Sequence, residues 1–270
     1  MAGIKAITSR DNAAFKALRL LAKDSREQAR QGRTLLDGLH LVADYRARVG
    51  LPQQLVVSES GERHPQVQAL LAEHAGVDIL HLRDALFTEV SGVATPVGLL
   101  AVIAISAAAT APLTNSCVLL EGIQDAGNVG AILRTAAAAG VRDIVLGPGC
   151  AGAWTPRVLR AAQGAHFGLA LRERDDLAAI ARDFAGLSVA TLAAGGASVY
   201  GLDLAGPVAW IFGNEGAGVS AELAAAAKAR ATIPLASGSE SLNVAAAAAV
   251  CLFEAVRQRR LGCGAVAELD

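Results

Sequence analysis

The chain has 270 residues, 53% apolar and 4% aromatic, with a formal net charge of −1. That length holds one large domain or two modest ones and easily buries a core, and so few aromatics leave the core to Ala, Val, Leu and Ile, which suits an α/β protein. The near-neutral total argues neither for nor against a nucleic-acid partner, while an N-terminus without an apolar signal core, carrying Asp11 early, argues against secretion and for a cytoplasmic protein.

The local balance says more than the total. Residues 1–33 carry eight cations against three acids, an asymmetry that can mark an anionic partner. A helix is predicted over 12–31, and along it Lys16, Arg19, Lys23, Arg26, Arg30 and Arg33 recur at spacings of 3 and 4. On one continuous helix these fall in a single stripe, with Ala14, Leu18, Leu21 and Ala29 opposite. The stripe reads either as a solvated face or as a phosphate-contacting surface; it holds too few acids for i,i+4 pairing.

An apolar Leu35-Leu36 follows, then a helix around 40–49, a strand over 54–58, a helix around 67–75 and a strand over 98–105. Residues 90–120 lack any charge. Gly92, Pro96, Gly98 and Pro112 interrupt that run, and its longest smooth piece, 98–111, falls short of the ~20 residues a spanning helix needs. It is therefore read as strand, Ala-rich linker, strand, and no membrane partner is expected. The linker 106–116 is the best boundary: a small α/β unit over 1–105 precedes it, and a larger unit over 117–270 follows.

In the second unit a strand is expected at 117–123, a helix at 129–139 ended by Gly140, and a strand at 143–146. A helix at 155–163 opens on Thr155-Pro156. Then come a strand at 167–171, a helix at 176–184, strands at 188–192 and 208–212, a helix at 220–229 capped by Ser220, a strand at 232–235 and a long helix at 242–261. Six strands alternating with helices imply a mostly parallel sheet covered on both faces.

Cys117, Cys150, Cys251 and Cys263 have neither metal nor redox spacing and read as free thiols of a reducing compartment. The five histidines are scattered and suggest no metal site.

Three loop-to-helix segments follow strand ends, where ligands of open α/β sheets bind. The first, from Asp125 to Thr135, is a glycine turn entering a helix, with Asn128 as candidate N-cap and Arg134 as a lone charge on a small-residue helix. The second, Phe212-Gly213-Asn214-Glu215-Gly216-Ala217-Gly218, lets a ligand or backbone approach closely, yet has neither dinucleotide nor P-loop spacing. The third runs from Ile233-Pro234-Leu235 to Ser241-Leu242-Asn243-Val244. There Ser241 could cap the last helix and leave Asn243 in its first turn, an expensive place for asparagine if only packing mattered.

This ordered set resembles the SpoU (TrmH) family of RNA ribose methyltransferases, and residues 1–105 loosely resemble the small RNA-binding domain that many members carry. Many members have proline where this chain has Ala126. The resemblance implies a trefoil-knotted α/β domain with a parallel sheet, a homodimer with its active site near the partner subunit, and S-adenosyl-L-methionine as cofactor. By position, Arg134, Asn128, Glu215, Ser241 and Asn243 match the family's catalytic set. Gly213, Ile233, Leu242 and Asn243 would hold the cofactor, and Lys16, Arg19, Lys23, Arg26 and Arg30 would meet RNA. The implied reaction is methylation of a ribose 2′-hydroxyl, with rRNA favoured over tRNA because the chain has two parts. Arginine stays protonated in proteins, so Arg134 is expected to stabilise the 2′-oxyanion or grip a phosphate. The rival readings are a non-catalytic RNA binder of the same fold and a nucleotide-dependent enzyme unconnected with RNA.

Overall fold

The computed structural model describes residues 4–107 and 110–262. They form two compact units, one of residues 4–107 together with Trp154–Phe167, the other of 110–153 together with 168–262.

The first unit is built on β1 (Ile4–Ile7), β2 (Arg33–Asp37), β3 (Gln54–Ser58), β4 (Asp78–Leu82) and β5 (Leu99–Ala104), in the order β1-β4-β3-β5-β2. β1, β4 and β3 run parallel, while β5 lies antiparallel to both β3 and β2. Around the sheet run α1 (Ala13–Lys23), α2 (Ser25–Gln31), α3 (Leu39–Arg48), α4 (Pro65–Glu73) and α5 (Asp84–Val90). Phe15, Leu18 and Leu21 of α1 join Leu35, Val56, Leu82, Phe87 and Leu100 in one buried cluster. The sequence reading missed β1, β4 and α5, and it gave the apolar pair Leu35-Leu36 no strand where β2 lies. Lys5 and His81 interrupt the apolar pattern of the short strands β1 and β4.

The single helix expected over 12–31 is two helices. Asp24 breaks it: its backbone is extended, and its carboxylate accepts the N–H groups of Arg26 at 2.8 Å and Glu27 at 3.3 Å, capping a new helix. The stripe therefore divides, with Lys16, Arg19 and Lys23 on α1, Arg26 and Arg30 on α2, and Arg33 opening β2. Lys16 pairs with Asp11 at 3.2 Å and Arg30 with Glu27 at 2.5 Å. Hydrogen bonds from Arg30 and Gln31 hold the Glu27 carboxyl down at about 2.

The segment Trp154–Phe167 also belongs to this unit. It carries α7 (Pro156–Ala162), whose Val158, Leu159 and Ala162 are buried. Buried Thr34 of β2 donates to the Trp154 carbonyl at 2.6 Å, and Phe167 meets Tyr45 edge-on at 5.3 Å.

The second unit contains β6 (Cys117–Leu120), β7 (Asp143–Leu146), β8 (Ala170–Glu173), β9 (Leu187–Thr191), β10 (Ala197–Ser198), β11 (Val208–Phe212) and β12 (Ala229–Thr232). They make a seven-stranded, all-parallel sheet in the order β10-β12-β9-β11-β6-β7-β8. The helices are α6 (Ala126–Ala138), α8 (Leu177–Asp183), α9 (Ala221–Ala226) and α10 (Val244–Gly262). β6 and β11 are buried along their whole length, as strands covered on both faces must be.

Seven strands replace the expected six, because the two-residue β10 pairs with β12. The strand expected at 232–235 ends at Thr232, which frees Ile233-Pro234-Leu235 from the sheet. The strand expected from 167 begins at Ala170, after a 3-10 turn. Chain order reverses between β6 and β11, since β7 and β8 add on one side of β6 and the later strands on the other. Such a reversal opens a crevice at the carboxyl ends of the strands. Among the described residues no helix is long and apolar enough to cross a membrane.

Candidate functional site

At that crevice lies a cavity of about 620 Å³. Its walls are Thr191–Ala194 beyond β9, Phe212–Val219 beyond β11, Ile233 and Leu235 beyond β12, and Ser241–Val244 at the start of α10.

The loop beyond β11 is a tight turn in which Asn214 and Gly218 exchange backbone hydrogen bonds of 3.0 and 2.8 Å. A Cβ on Gly213 would lie 2.2 Å from the Gly218 carbonyl carbon and the Val219 nitrogen, so no side chain fits there. Gly218 adopts φ +71°, which favours glycine. Asn214 ties the turn together: Oδ1 accepts from Gly216 N at 2.9 Å and Ala217 N at 3.0 Å, and Nδ2 donates to the Gly122 carbonyl at 2.7 Å. Behind it, Glu121 accepts from Ser220 N at 2.8 Å and fixes the entry to α9.

A polar chain crosses the mouth of the cavity. Asn243 Nδ2 donates to Asn128 Oδ1 at 2.9 Å, and Asn128 Nδ2 donates to Glu215 Oε1 at 3.0 Å. The same carboxylate accepts from the backbone N–H groups of Asp125 at 3.3 Å and Gln124 at 3.4 Å. Desolvation pushes the Glu215 carboxyl up. The hydrogen bonds from Asn128 and from backbone N–H groups outweigh it, so the group sits below its ordinary value and is ionised at neutral pH.

Both expected caps change hands. Asp125, not Asn128, caps α6, its Oδ1 accepting from Asn128 N at 2.8 Å. α10 begins at Val244, and Asn243 rather than Ser241 caps it, with Oδ1 accepting from Ala245 N at 2.9 Å and Ala246 N at 3.3 Å. The odd asparagine thus has two tasks: its oxygen starts the helix and its amide reaches across to α6.

Gly213, Glu215, Ile233, Ser241, Leu242 and Asn243 meet at the one cavity, and hydrogen bonds join Asn128 to them. Arg134 stands apart. It is exposed on α6, does not line the cavity, and has no ion-pair partner among the described residues. Lys16, Arg19, Lys23, Arg26 and Arg30 lie in the first unit. Asn214, Glu121 and the capping role of Asp125 went unread in the sequence. A signal existed for Asn214, an amide inside a glycine turn, where such side chains bond to backbone groups two residues on.

Glycine, alanine and branched aliphatic residues make up most of the cavity wall. Cys251 also lines it, and burial pushes that thiol up to about 12, so it serves as packing rather than as a nucleophile. Among the described residues no group of three or more His, Cys, Asp or Glu is placed to hold a metal ion. The arrangement suits a mid-sized organic ligand gripped by backbone groups, beside an ordered amide–carboxylate chain.

Comparison with known proteins agrees with this geometry. The profile of the SpoU rRNA Methylase family matches residues 115–253. An uncharacterized tRNA/rRNA methyltransferase of Synechocystis is 32% identical over 265 residues, 95% of either chain. The 23S rRNA (guanosine(2553)-2′-O)-methyltransferase RlmP of Bacillus subtilis is 31% identical over 235 residues, 84% of this chain and 90% of that one. Among solved structures, the AdoMet complex of the SpoU methyltransferase AviRb from Streptomyces viridochromogenes superposes with a TM-score of 0.83 at 26% identity, covering 92% of this chain and 98% of that one. An AdoMet-bound rRNA methyltransferase from Sinorhizobium meliloti gives a TM-score of 0.80 at 28% identity, covering 94% and 98%. Family profile, near-full-length relatives and shared fold agree, and the chain belongs to the SpoU rRNA methylase family.

Proposed function

We propose that this protein transfers a methyl group from S-adenosyl-L-methionine to a ribose 2′-hydroxyl of ribosomal RNA. The observation that carries the reading is the chain Asn243–Asn128–Glu215 at the mouth of a glycine-cradled cavity. RlmP of Bacillus subtilis, named for the same 2′-O chemistry, supports it at 31% identity, and the AdoMet-bound relatives support the cofactor.

The residues present fit that cofactor. The cavity has the size of an organic-ligand cleft, Gly213 lets the Gly218–Val219 backbone close tightly on it and so shapes the wall, and Ile233, Leu235 and Leu242 supply apolar walls. Bound there, the cofactor supplies an electrophilic methyl carbon.

The rest falls to the chain. A ribose hydroxyl is almost fully protonated at neutral pH, so its nucleophilicity depends on stabilising the developing oxyanion. Glu215, Asn128 and Asn243 form a preorganised array with one donor direction, which fixes the groups facing the reacting ribose. Arg134 carries a permanent charge and a donor fork suited to an oxyanion or a phosphate. Because it lies outside the cavity of its own chain, it meets the ribose at the interface of a homodimer. Phe253, 47% exposed on α10, supports such an interface. In this reading the catalytic unit is a trefoil knot, supported by the strand order β9-β11-β6 and by the return of the chain after β12 to pack α10 on α6. The first unit, with Lys16, Arg19, Lys23, Arg26 and Arg30, engages the RNA, and the enzyme works in the cytoplasm with the ribosomal RNA.

The test is transfer of tritiated methyl from S-adenosylmethionine to total RNA of a deletion strain, followed by mapping of the ribose methyl. Incorporation at a single 2′-oxygen of rRNA is expected. Incorporation into tRNA would move the substrate, and none into any RNA would leave a non-catalytic binder.

A further inference from the structure

A second hollow opens in the catalytic unit, at the opposite ends of the strands that form the cofactor cavity. It measures about 390 Å³ and lies where β6, β7 and β11 begin, under the far end of α10. Ser116, Arg142, Asp143, Pro207 and Arg259 line it. Arg259 Nη1 donates to Ser116 Oγ at 3.3 Å, and that oxygen also accepts from Val208 N at 3.0 Å. A serine oxygen has two lone pairs, so both are engaged and the hydroxyl proton is left for a further acceptor. α10 is held in place here by Gln258, which accepts from Leu204 N at 2.8 Å and donates to the Leu202 carbonyl at 3.0 Å.

Neither Arg142 nor Arg259 forms an ion pair among the described residues, although both carry a permanent charge. The hollow is thus lined by two arginines and a serine against a single acidic residue, Asp143. Guanidinium forks match phosphate oxygens two at a time. A carboxylate beside them would repel a bare anion but accepts from a hydroxyl, and the volume exceeds that of a phosphate alone.

We propose that this hollow is a subsite for a ribonucleotide phosphate, with Arg142, Arg259 and Ser116 on the phosphate and Asp143 on an adjacent sugar hydroxyl. The ligand's source rests on the RNA methyltransferase reading: a nucleotide of the substrate RNA, bound away from the reacting ribose. A free nucleotide offers the same chemistry.

The test uses the full chain, with Arg142→Ala/Arg259→Ala together and Arg142→Glu alone, the latter at an exposed side chain whose loss leaves the fold intact. Calorimetric binding of S-adenosylmethionine, whose cavity lies at the other strand ends, reports folding. RNA affinity is then measured against salt concentration. Loss of one phosphate contact reduces the magnitude of the slope of log K against log salt by about 0.7–0.9, and both variants are expected to show that fall. In parallel, the thermal midpoint is read with guanosine monophosphate and with inorganic phosphate. Protection of the wild type by the nucleotide, absent in the variants and without a change in RNA slope, supports the subsite with a free nucleotide as its source. Unchanged slopes together with no nucleotide protection overturn the proposal. Failure of methyl transfer to every RNA would sink the proposed function and leave the nucleotide arm standing.

Discussion

Asn243 joins helix capping to the site, so its variants should separate the two. Asn243→Ala removes the cap oxygen over Ala245 and Ala246 together with the amide that reaches Asn128. A lost asparagine cap costs about 1 kcal/mol and the lost hydrogen bond about 1 kcal/mol more. In a unit of this size that sum lowers Tm by roughly 4–8 °C. Asn243→Ser keeps an oxygen over the helix and should recover about half of the loss. Asn243→Asp is the sharper probe. Its carboxylate caps as well as the amide does, and the helix N-terminus favours its charge, so Tm should stay close to wild type. Yet it now faces the Asn128 oxygen. Asn128 can turn its amide over, but then presents oxygen to the Glu215 carboxylate. Whichever way Asn128 turns it can then satisfy only one of its two neighbours, and one broken bond of about 1 kcal/mol is roughly fivefold in kcat/KM. The assays are thermal unfolding and methyl transfer side by side. An Asn243→Asp enzyme with unchanged kcat/KM, or an Asn243→Ser protein as unstable as Asn243→Ala, would refute the reasoning.

Other variants probe the remaining parts. The Glu215 carboxyl sits below its ordinary 4.5, so its contribution is present above that value and is lost as pH falls through the lower folded-state value. Cofactor affinity should show that acid limb in the wild type and not in Glu215→Gln; a limb that survives would point to another group. Gly213→Ala drives a Cβ into backbone and should cost about 1–3 kcal/mol along with cofactor binding, measured by denaturation and calorimetry; wild-type values for both would show that the turn yields. Arg134→Ala should leave stability within about 0.5 kcal/mol and lower the methyl-transfer rate by about 10²–10³-fold, whereas near-full activity in Arg134→Lys would remove the bidentate role. Joint neutralisation of Arg19, Lys23 and Arg26 should flatten the salt dependence of RNA binding, while joint neutralisation of Lys16 and Arg30, held by Asp11 and Glu27, should flatten it less per charge removed; an equal effect per charge would make that pairing irrelevant.

Long apolar periods were legible in the sequence. β3 and β11 lie where their β-branched and aromatic runs put them, because a strand buried on both faces writes itself as an unbroken apolar string. Short polar-marked strands were not: β1 and β4 owe their place to partners far along the chain. Local polar competition hid the break at Asp24 and the true caps at Asp125 and Asn243. Several acceptors stood within two or three residues of each helix start, and only the folded backbone selects among them. The motif residues were found by pattern, but the direction of the chain Asn243–Asn128–Glu215 was not. It depends on residues 115 and 87 positions apart meeting at one strand end.

The excursion of Trp154–Phe167 into the first unit bears on how such a protein can be rearranged. A linker at 106–116 invites the idea of a detachable cassette that recombination could exchange or a truncation could remove. The chain crosses between its units three times, at 107/108, 153/154 and 167/168, so no single cut separates them. A fragment beginning after residue 107 would still carry Val158, Leu159 and Ala162, stripped of the β2 strand they pack near, and should tend to aggregate. A foreign N-terminal unit spliced on at the linker would have to present a groove matching α7. The two halves are therefore expected to be inherited together, with compensating changes concentrated where β2 and α7 meet.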